Sequence, residues 1–305
     1  MIEPTEIESI YRTYRSYALS IAYRMLGTFT DAEDVVQDLF AELANKDMTE
    51  ILNMKSYIAK SVTNRCLNLM HSAKKTREEY VGEWLPEPVS GTALLPELAA
   101  EQKDTLSYAY LLMLERLGPV ERAVFLLREV FEYEYHQIAE MTGKTEANCR
   151  KIFSRSKQQL KAAEMPAISY ESGQRRAMIE RFADAFQHYD AKELLRLLAE
   201  DAVLISDGGG ASRTATRPIV SRERLLRLFT SPKAYRDLRT WKACLIEING
   251  EINIVYMSRN EVQAVLCFRF TASGDRLQYL YMIKNPAKLK FMQSSLHQTN
   301  LGNEE

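Results

Sequence analysis

The sequence predicts a multidomain fold, two all-α helical domains followed by an α+β domain with a curved sheet. Three observations predict it. Apolar residues recur at three- and four-residue spacing from about residue 6 to residue 163, the period of helices that bury one face. Prolines 86, 88 and 96 and Gly91 interrupt that pattern over residues 78–104 and forbid one continuous helix there. Beyond about residue 240 the period falls to two, and Asn249-Gly250 separates two alternating segments. At 305 residues, two or three domains are the natural count.

In the first helical segment, Ile10, Tyr14, Tyr17, Ile21 and Met25 make one apolar stripe, and Gly27 closes the helix. Thr30-Asp31-Ala32-Glu33 has the form of a capping box. Val35, Val36, Leu39, Phe40 and Leu43 form the inner face of the helix it opens. A third helix is expected over about 54–73, with Tyr57, Ile58, Val62, Cys66, Leu67 and Leu69 inward. Within the interrupted stretch, Trp84 and Leu85 are too apolar for a free tether. A helix over 106–117 follows, then Gly118-Pro119, with proline at the first position of the next helix, 120–131.

Residues 134–161 have the pattern of a helix-turn-helix. Residues 134–141 form the supporting helix with Ile138 and Ala139 inward, Gly143 supplies the turn, and Thr145 caps the second helix. That helix is expected to bury Ala147, Ile152, Phe153 and Leu160. It presents Arg150, Lys151, Arg155, Lys157 and Lys161 against one acid, Glu146, a local charge of +4. Its N-terminal positions would meet base edges and its later cations phosphates.

The last third opens with helices over 174–187 and 191–199. A hairpin follows, with strands 245–248 and 251–256 about Asn249-Gly250, the preferred type I′ dipeptide. Strands over 262–271 and 277–284, joined by Ala272-Ser273-Gly274-Asp275, complete an antiparallel sheet.

Charge narrows the function. The net formal charge is −1, so loose coating of nucleic acid by a basic chain is excluded and any positive surface must be local. Residues 31–50 hold seven acids and one cation, Lys46. Residues 55–77 hold Lys55, Lys60, Arg65, Lys74, Lys75 and Arg77 and no acid. One surface should seek a basic partner and the other nucleic acid. Thr63, Asn64, Asn68 and His71 lie among those cations, as base-edge readers do. The four cysteines, Cys66, Cys149, Cys244 and Cys267, have no metal-ligand spacing and read as reduced thiols. No metal, cofactor, signal peptide or membrane span is expected, which predicts a cytoplasmic protein.

The string Ile21-Ala22-Tyr23-Arg24-Met25-Leu26-Gly27, then residues 31–38 (Asp-Ala-Glu-Asp-Val-Val-Gln-Asp), Thr63-Asn64-Arg65-Cys66-Leu67, and Asn148-Cys149-Arg150 with Ser154-Arg155, resembles the extracytoplasmic-function (ECF) sigma factors of RNA polymerase. Residues 80–88 (Tyr-Val-Gly-Glu-Trp-Leu-Pro-Glu-Pro), Asp207-Gly208-Gly209-Gly210 and Asn285-Pro286-Ala287-Lys288-Leu289 resemble the subfamily with a fused C-terminal SnoaL-like domain, a curved-sheet cone similar to nuclear transport factor 2. Ala211 stands where that subfamily usually has lysine, and Arg213 or Arg217 is expected to replace the charge.

The resemblance implies sigma region 2 over 1–77, the linker over 78–104, sigma region 4 over 105–164, the SnoaL-like domain over 174–293 and a flexible tail over 294–305. It implies a non-enzymatic initiation factor. Asp34, Gln37 and Asp38 would dock on the clamp helices of the largest subunit of core RNA polymerase. Lys60, Asn64, Arg65, Asn68, His71, Lys74 and Lys75, with the loop 47–55, would open and read the −10 element of promoter DNA. Asn148, Arg150, Lys151, Ser154, Arg155, Lys157 and Lys161 would hold the −35 element. Asp207, Gly208, Gly209, Gly210 and Arg213, with Asn285, Pro286 and Lys288, would touch Trp84, Leu85 and Pro86 and regulate the factor in cis.

A second reading makes the chain a helix-turn-helix regulator whose C-terminal domain is a small-molecule receptor or an enzyme. Its pocket at the mouth of the sheet would use His188, Asp207 and Tyr256. That reading leaves the acidic helix unexplained.

Overall fold

The computed structural model describes residues 4–47, 51–78, 80–90, 107–161 and 172–301. These residues divide into two compact units, a helical one built from 4–78 and 110–161, and a second built from 80–90, 107–109 and 172–301.

The helical unit starts with α1 (Pro4–Leu26), ended by Gly27 in the left-handed region (φ +71°), whose N–H returns to the Tyr23 carbonyl at 2.8 Å. Helix α2 (Phe29–Leu43) buries Phe29, Ala32, Val35, Val36, Leu39, Phe40 and Leu43. It begins ahead of the expected Thr30 because Phe29 is a core residue, edge-on to Tyr23 at 5.9 Å. The capping box does not form. Thr28 donates to Asp31 at 2.5 Å, and Glu33 pairs with Arg15 at 3.1 Å. Helix α3 (Met54–Glu78) buries Ile58, Val62, Cys66 and Met70 at four-residue intervals, so Met70 takes the inner position expected for Leu69, which is exposed.

Helix α4 (Tyr108–Leu114) is shorter than predicted. Helix α5 (Pro119–Glu129) starts at the Gly118-Pro119 break, where Glu121 accepts the Gly118 N–H at 2.9 Å. Helix α6 (Tyr135–Thr142) ends at Gly143 (φ +65°), and Thr145 accepts the Asn148 N–H at 3.3 Å to cap α7 (Glu146–Lys161). Cys149, Ser156 and Leu160 form the buried edge of α7, with Ile152 and Phe153 half-buried and Phe153 set between Phe125 and Tyr135. Ala147, expected inside, is exposed because it lies off that stripe.

The helices preceding and following the linker share one unit. The Tyr17 and Tyr133 hydroxyls share a hydrogen bond of 2.6 Å, and Tyr17 stands edge-on to Phe131 at 5.6 Å. The guanidinium of Arg122, on α5, donates to the Met25 carbonyl in the last turn of α1 and to Glu115, both at 2.7 Å.

The second unit contains α8 (Ser172–Gln187), α9 (Ala191–Leu197), β1 (Leu198–Asp207), β2 (Ile219–Val220), α10 (Arg222–Phe229), α11 (Arg236–Thr240), β3 (Lys242–Ile248), β4 (Glu251–Ser258), β5 (Glu261–Phe270), β6 (Leu277–Ile283) and α12 (Pro286–Leu301). The sheet order is β2-β1-β6-β5-β4-β3. Four pairings are antiparallel, but β1 and β6 run parallel, so the sheet is mixed rather than purely antiparallel. Asn249 and Gly250 both have positive φ (+53° and +79°), as a type I′ turn requires.

The inner face of the sheet carries Leu204, Tyr256, Ala264, Leu266, Phe268, Leu280 and Met282 against Phe182, Phe186, Leu225 and Phe229 of the helices. Where the sequence predicts a tail from 294, α12 continues to Leu301, and no glycine or proline intervenes before Gly302. Among the described residues no helix is long and apolar enough to cross a membrane.

Candidate functional site

On α2, Asp34, Gln37 and Asp38 are exposed and, at i, i+3 and i+4, share one face. On α3, Lys60, Asn64, Asn68 and His71 form an exposed stripe opposite the core positions. Arg65 is half-buried and ion-paired to Glu42 of α2, which neutralises one cation of the set. Thr63 is fully buried and faces the core, so it cannot meet a base. Lys74 and Lys75 continue α3, but their side chains lie outside the described residues, as do residues 48–50 of the 47–55 loop.

On α7, Asn148, Lys151, Ser154, Arg155 and Lys161 are exposed. The remaining two cations are partly engaged. Arg150 pairs with Glu146 at 2.9 Å and lies 4.9 Å from the centre of the Tyr135 ring, and Lys157 pairs with Glu129 at 3.0 Å. These pairs sit in water and contribute little to stability, so a phosphate can displace them.

In the second unit, residues 80–90 run extended against the sheet. Asp207, the last residue of β1 and wholly buried, accepts four donors: the Tyr80 hydroxyl at 2.5 Å, the Leu85 N–H at 2.9 Å, the Gly209 N–H at 3.0 Å and the Lys288 ammonium at 2.6 Å. Lys288 also donates to the Leu85 carbonyl, and its ammonium lies 4.1 Å from the centre of the Trp84 ring. Thus Asp207 and Lys288 grip both backbone groups of Leu85. Asn285 donates to the Tyr80 hydroxyl at 2.8 Å, and the Pro86 carbonyl accepts from Tyr108 at 2.8 Å. Further along, Val89 and Asn249 exchange two hydrogen bonds and Ser90 bridges Ile248. Burial and the Asp207 carboxylate push the Tyr80 hydroxyl pKa up, which keeps it a donor.

Gly208 is buried in the turn after Asp207, and Gly210 lies beside Val81. Gly209 has a positive φ (+60°), and a Cβ there would sit 2.4 Å from the Asn285 amide nitrogen. Gly209→Ala should therefore destabilise the unit by roughly 1–3 kcal/mol. Urea unfolding checks this, and an unshifted midpoint would exclude the close approach.

Two expected members do not join. Arg213 is exposed because the Gly208–Ser212 turn, closed by two N–H groups on the Gly208 carbonyl, carries the chain outward, and Lys288 supplies the cation instead. Pro286 is exposed at the first position of α12. Tyr80 and Tyr108 are the partners that sequence reasoning missed as site residues. The pocket set does not converge either. His188 is exposed and paired to Asp184 at 3.1 Å, Tyr256 lies in the core, and Asp207 holds the linker.

Two family models match, "Sigma-70 region 2" over residues 10–76 and "Sigma-70, region 4" over residues 107–160. The ECF RNA polymerase sigma factor SigJ of Mycobacterium tuberculosis is 30% identical over 228 residues, 74% of this chain and 72% of SigJ. The probable ECF RNA polymerase sigma factor SigI of the same organism is 30% identical over 200 residues, 65% of this chain and 69% of SigI. The chain belongs to the ECF RNA polymerase sigma factors. The crystal structure of SigJ matches this sigma factor with a TM-score of 0.72 and 26% identity, covering 95% of this chain and 99% of that one. The match therefore includes the C-terminal mixed-sheet domain, of SnoaL-like fold. In this sigma factor the region 2 match covers most of α1–α3 and the region 4 match all of α4–α7 but the last residue.

Proposed function

We propose that this sigma factor binds core RNA polymerase through the acidic face of α2, opens and reads the −10 element with the exposed stripe of α3, and holds the −35 element with α7. The C-terminal domain then regulates it in cis by gripping the linker. One observation carries the regulatory reading. A buried carboxylate and ammonium are dedicated to the backbone and flanking rings of residues 80–86, a segment that directly follows the −10 helix in the chain. A buried ion pair is a poor way to gain stability alone, so its position on the linker favours a specific restraint. The C-terminal domain acts here by holding the linker rather than by catalysis or as a receptor.

Run-off transcription with purified core polymerase tests this, comparing the full chain, a truncation after Glu164 and Trp84→Ala. Both variants are expected to change promoter-dependent output, and equal output from all three would sink the regulatory role. Asp34→Ala with Gln37→Ala and Asp38→Ala should weaken co-elution with core enzyme by tenfold or more. Undiminished co-elution would overturn the docking assignment.

A further inference from the structure

The C-terminal domain carries a concentration of positive charge that the linker grip does not use. Residues 213–242 hold nine cations and two acids, a net +7 in a chain whose total is −1. The flanking parts of the same domain are nearly balanced, −2 over 172–212 and +2 over 243–301. The nine are not equivalent. Arg222 is largely buried and pairs with Glu200 at 3.7 Å. Arg239 is a structural bolt, donating to the Phe229 and Ala234 carbonyls and so tying α11 to the C-terminus of α10. By contrast Arg213, Arg217, Arg224, Arg227, Lys233 and Arg236 are all exposed, as is Lys242 at the start of β3, and among the described residues none of these forms an ion pair.

Clustered unpaired cations repel one another and disfavour the folded state. Six exposed cations within 24 residues of chain are the charge complement of a polyanion, which would relieve that repulsion. Arginine predominates, and its planar fork of donors matches phosphate oxygens. The domain is fused to helices that themselves carry local positive charge for duplex DNA. We propose that the loop 213–217 and the α10–α11 segment form a further DNA contact, made to backbone phosphates of duplex DNA and indifferent to base sequence.

The test uses Arg224→Gln, Arg227→Gln, Lys233→Gln and Arg236→Gln together in the full chain, with Arg213→Gln and Arg217→Gln as a second variant that leaves the helices untouched. Affinity for a promoter duplex and for a scrambled duplex is measured across salt concentration, for the chain alone and after assembly with core polymerase. Each lost phosphate contact lowers the slope of log affinity on log salt by about 0.9. The fourfold variant should therefore lose about two to four in slope and bind tenfold or more weakly at low salt, equally on both duplexes, with unchanged or higher thermal stability. Asn148→Ala, at the N-terminal end of α7 where base edges would be met, should instead weaken the promoter duplex preferentially. Unchanged slopes in both variants would overturn the proposal. So would a loss of polymerase assembly with DNA affinity intact, since the patch would then serve a protein. Failure of the unmodified chain to assemble with polymerase would sink the sigma-factor assignments above, while the slope of the chain alone still decides the patch.

Discussion

Asp207→Ala is expected to destabilise the C-terminal domain by about 3–5 kcal/mol and to free residues 80–86 from it. The substitution strands the Lys288 ammonium, 6% exposed, without its counter-charge, and such an uncompensated buried charge has a cost of that size. It also removes the acceptor from the Tyr80 hydroxyl and from the Leu85 and Gly209 N–H groups. Asp207→Asn keeps an acceptor without the charge and should fall between. Pairing Asp207→Asn with Lys288→Met should be milder than the two single effects added, because the double variant leaves no lone charge. Urea unfolding supplies the energies and hydrogen exchange at the Leu85 amide reports linker release. If that amide stays protected in Asp207→Ala, the carboxylate is not what holds the linker. Under the regulatory reading, run-off output should shift in the same direction as in Trp84→Ala.

How much of this was legible in the sequence depends on the range of the interactions involved. Local signals carried through. Gly143 and Thr145 mark the helix-turn-helix by turn and cap chemistry within a few residues, and Asn249-Gly250 fixes the hairpin for the same reason. The acidic face of α2 and the exposed stripe of α3 follow from helical period alone. Strand β1 did not show. Its start, Leu198-Ala199-Glu200-Asp201-Ala202, is rich in helix formers and continues the pattern of α9. Parallel pairing with β6, some 75 residues on, makes it a strand, and that is tertiary context overriding propensity. Tyr80 was invisible as a site residue for a related reason. Its partner Asp207 lies 127 positions away, and a tyrosine in a proline-flanked stretch carries no local mark of its hydroxyl's role. Arg213 misled because charge and proximity in sequence to Asp207 stood in for direction, which the Gly208–Ser212 turn sets.

The same reasoning applied to the helical unit identifies Arg122 as a cation on which its stability depends. It is 1% exposed, and one nitrogen serves both the Met25 carbonyl and Glu115. The Met25 carbonyl is among the last four of α1, which have no partner within the helix, so the guanidinium both caps it and meets the negative end of its dipole. Arg122→Ala leaves that carbonyl and the Glu115 carboxylate without the cation and opens a void, for an expected loss of about 3–5 kcal/mol. Among the contacts that remain between α1–α3 and the segment after α5 are the Tyr17 and Tyr133 hydroxyl pair, the Tyr17 and Arg24 contacts with the Phe131 ring, and the Tyr133 hydroxyl donating to the Lys55 carbonyl. A single hydrogen bond of that kind contributes only about 1 kcal/mol. Calorimetry should accordingly show the transition of the helical unit at a lower temperature in the variant. A transition at the unmodified temperature would mean that the two helical groups cohere without Arg122.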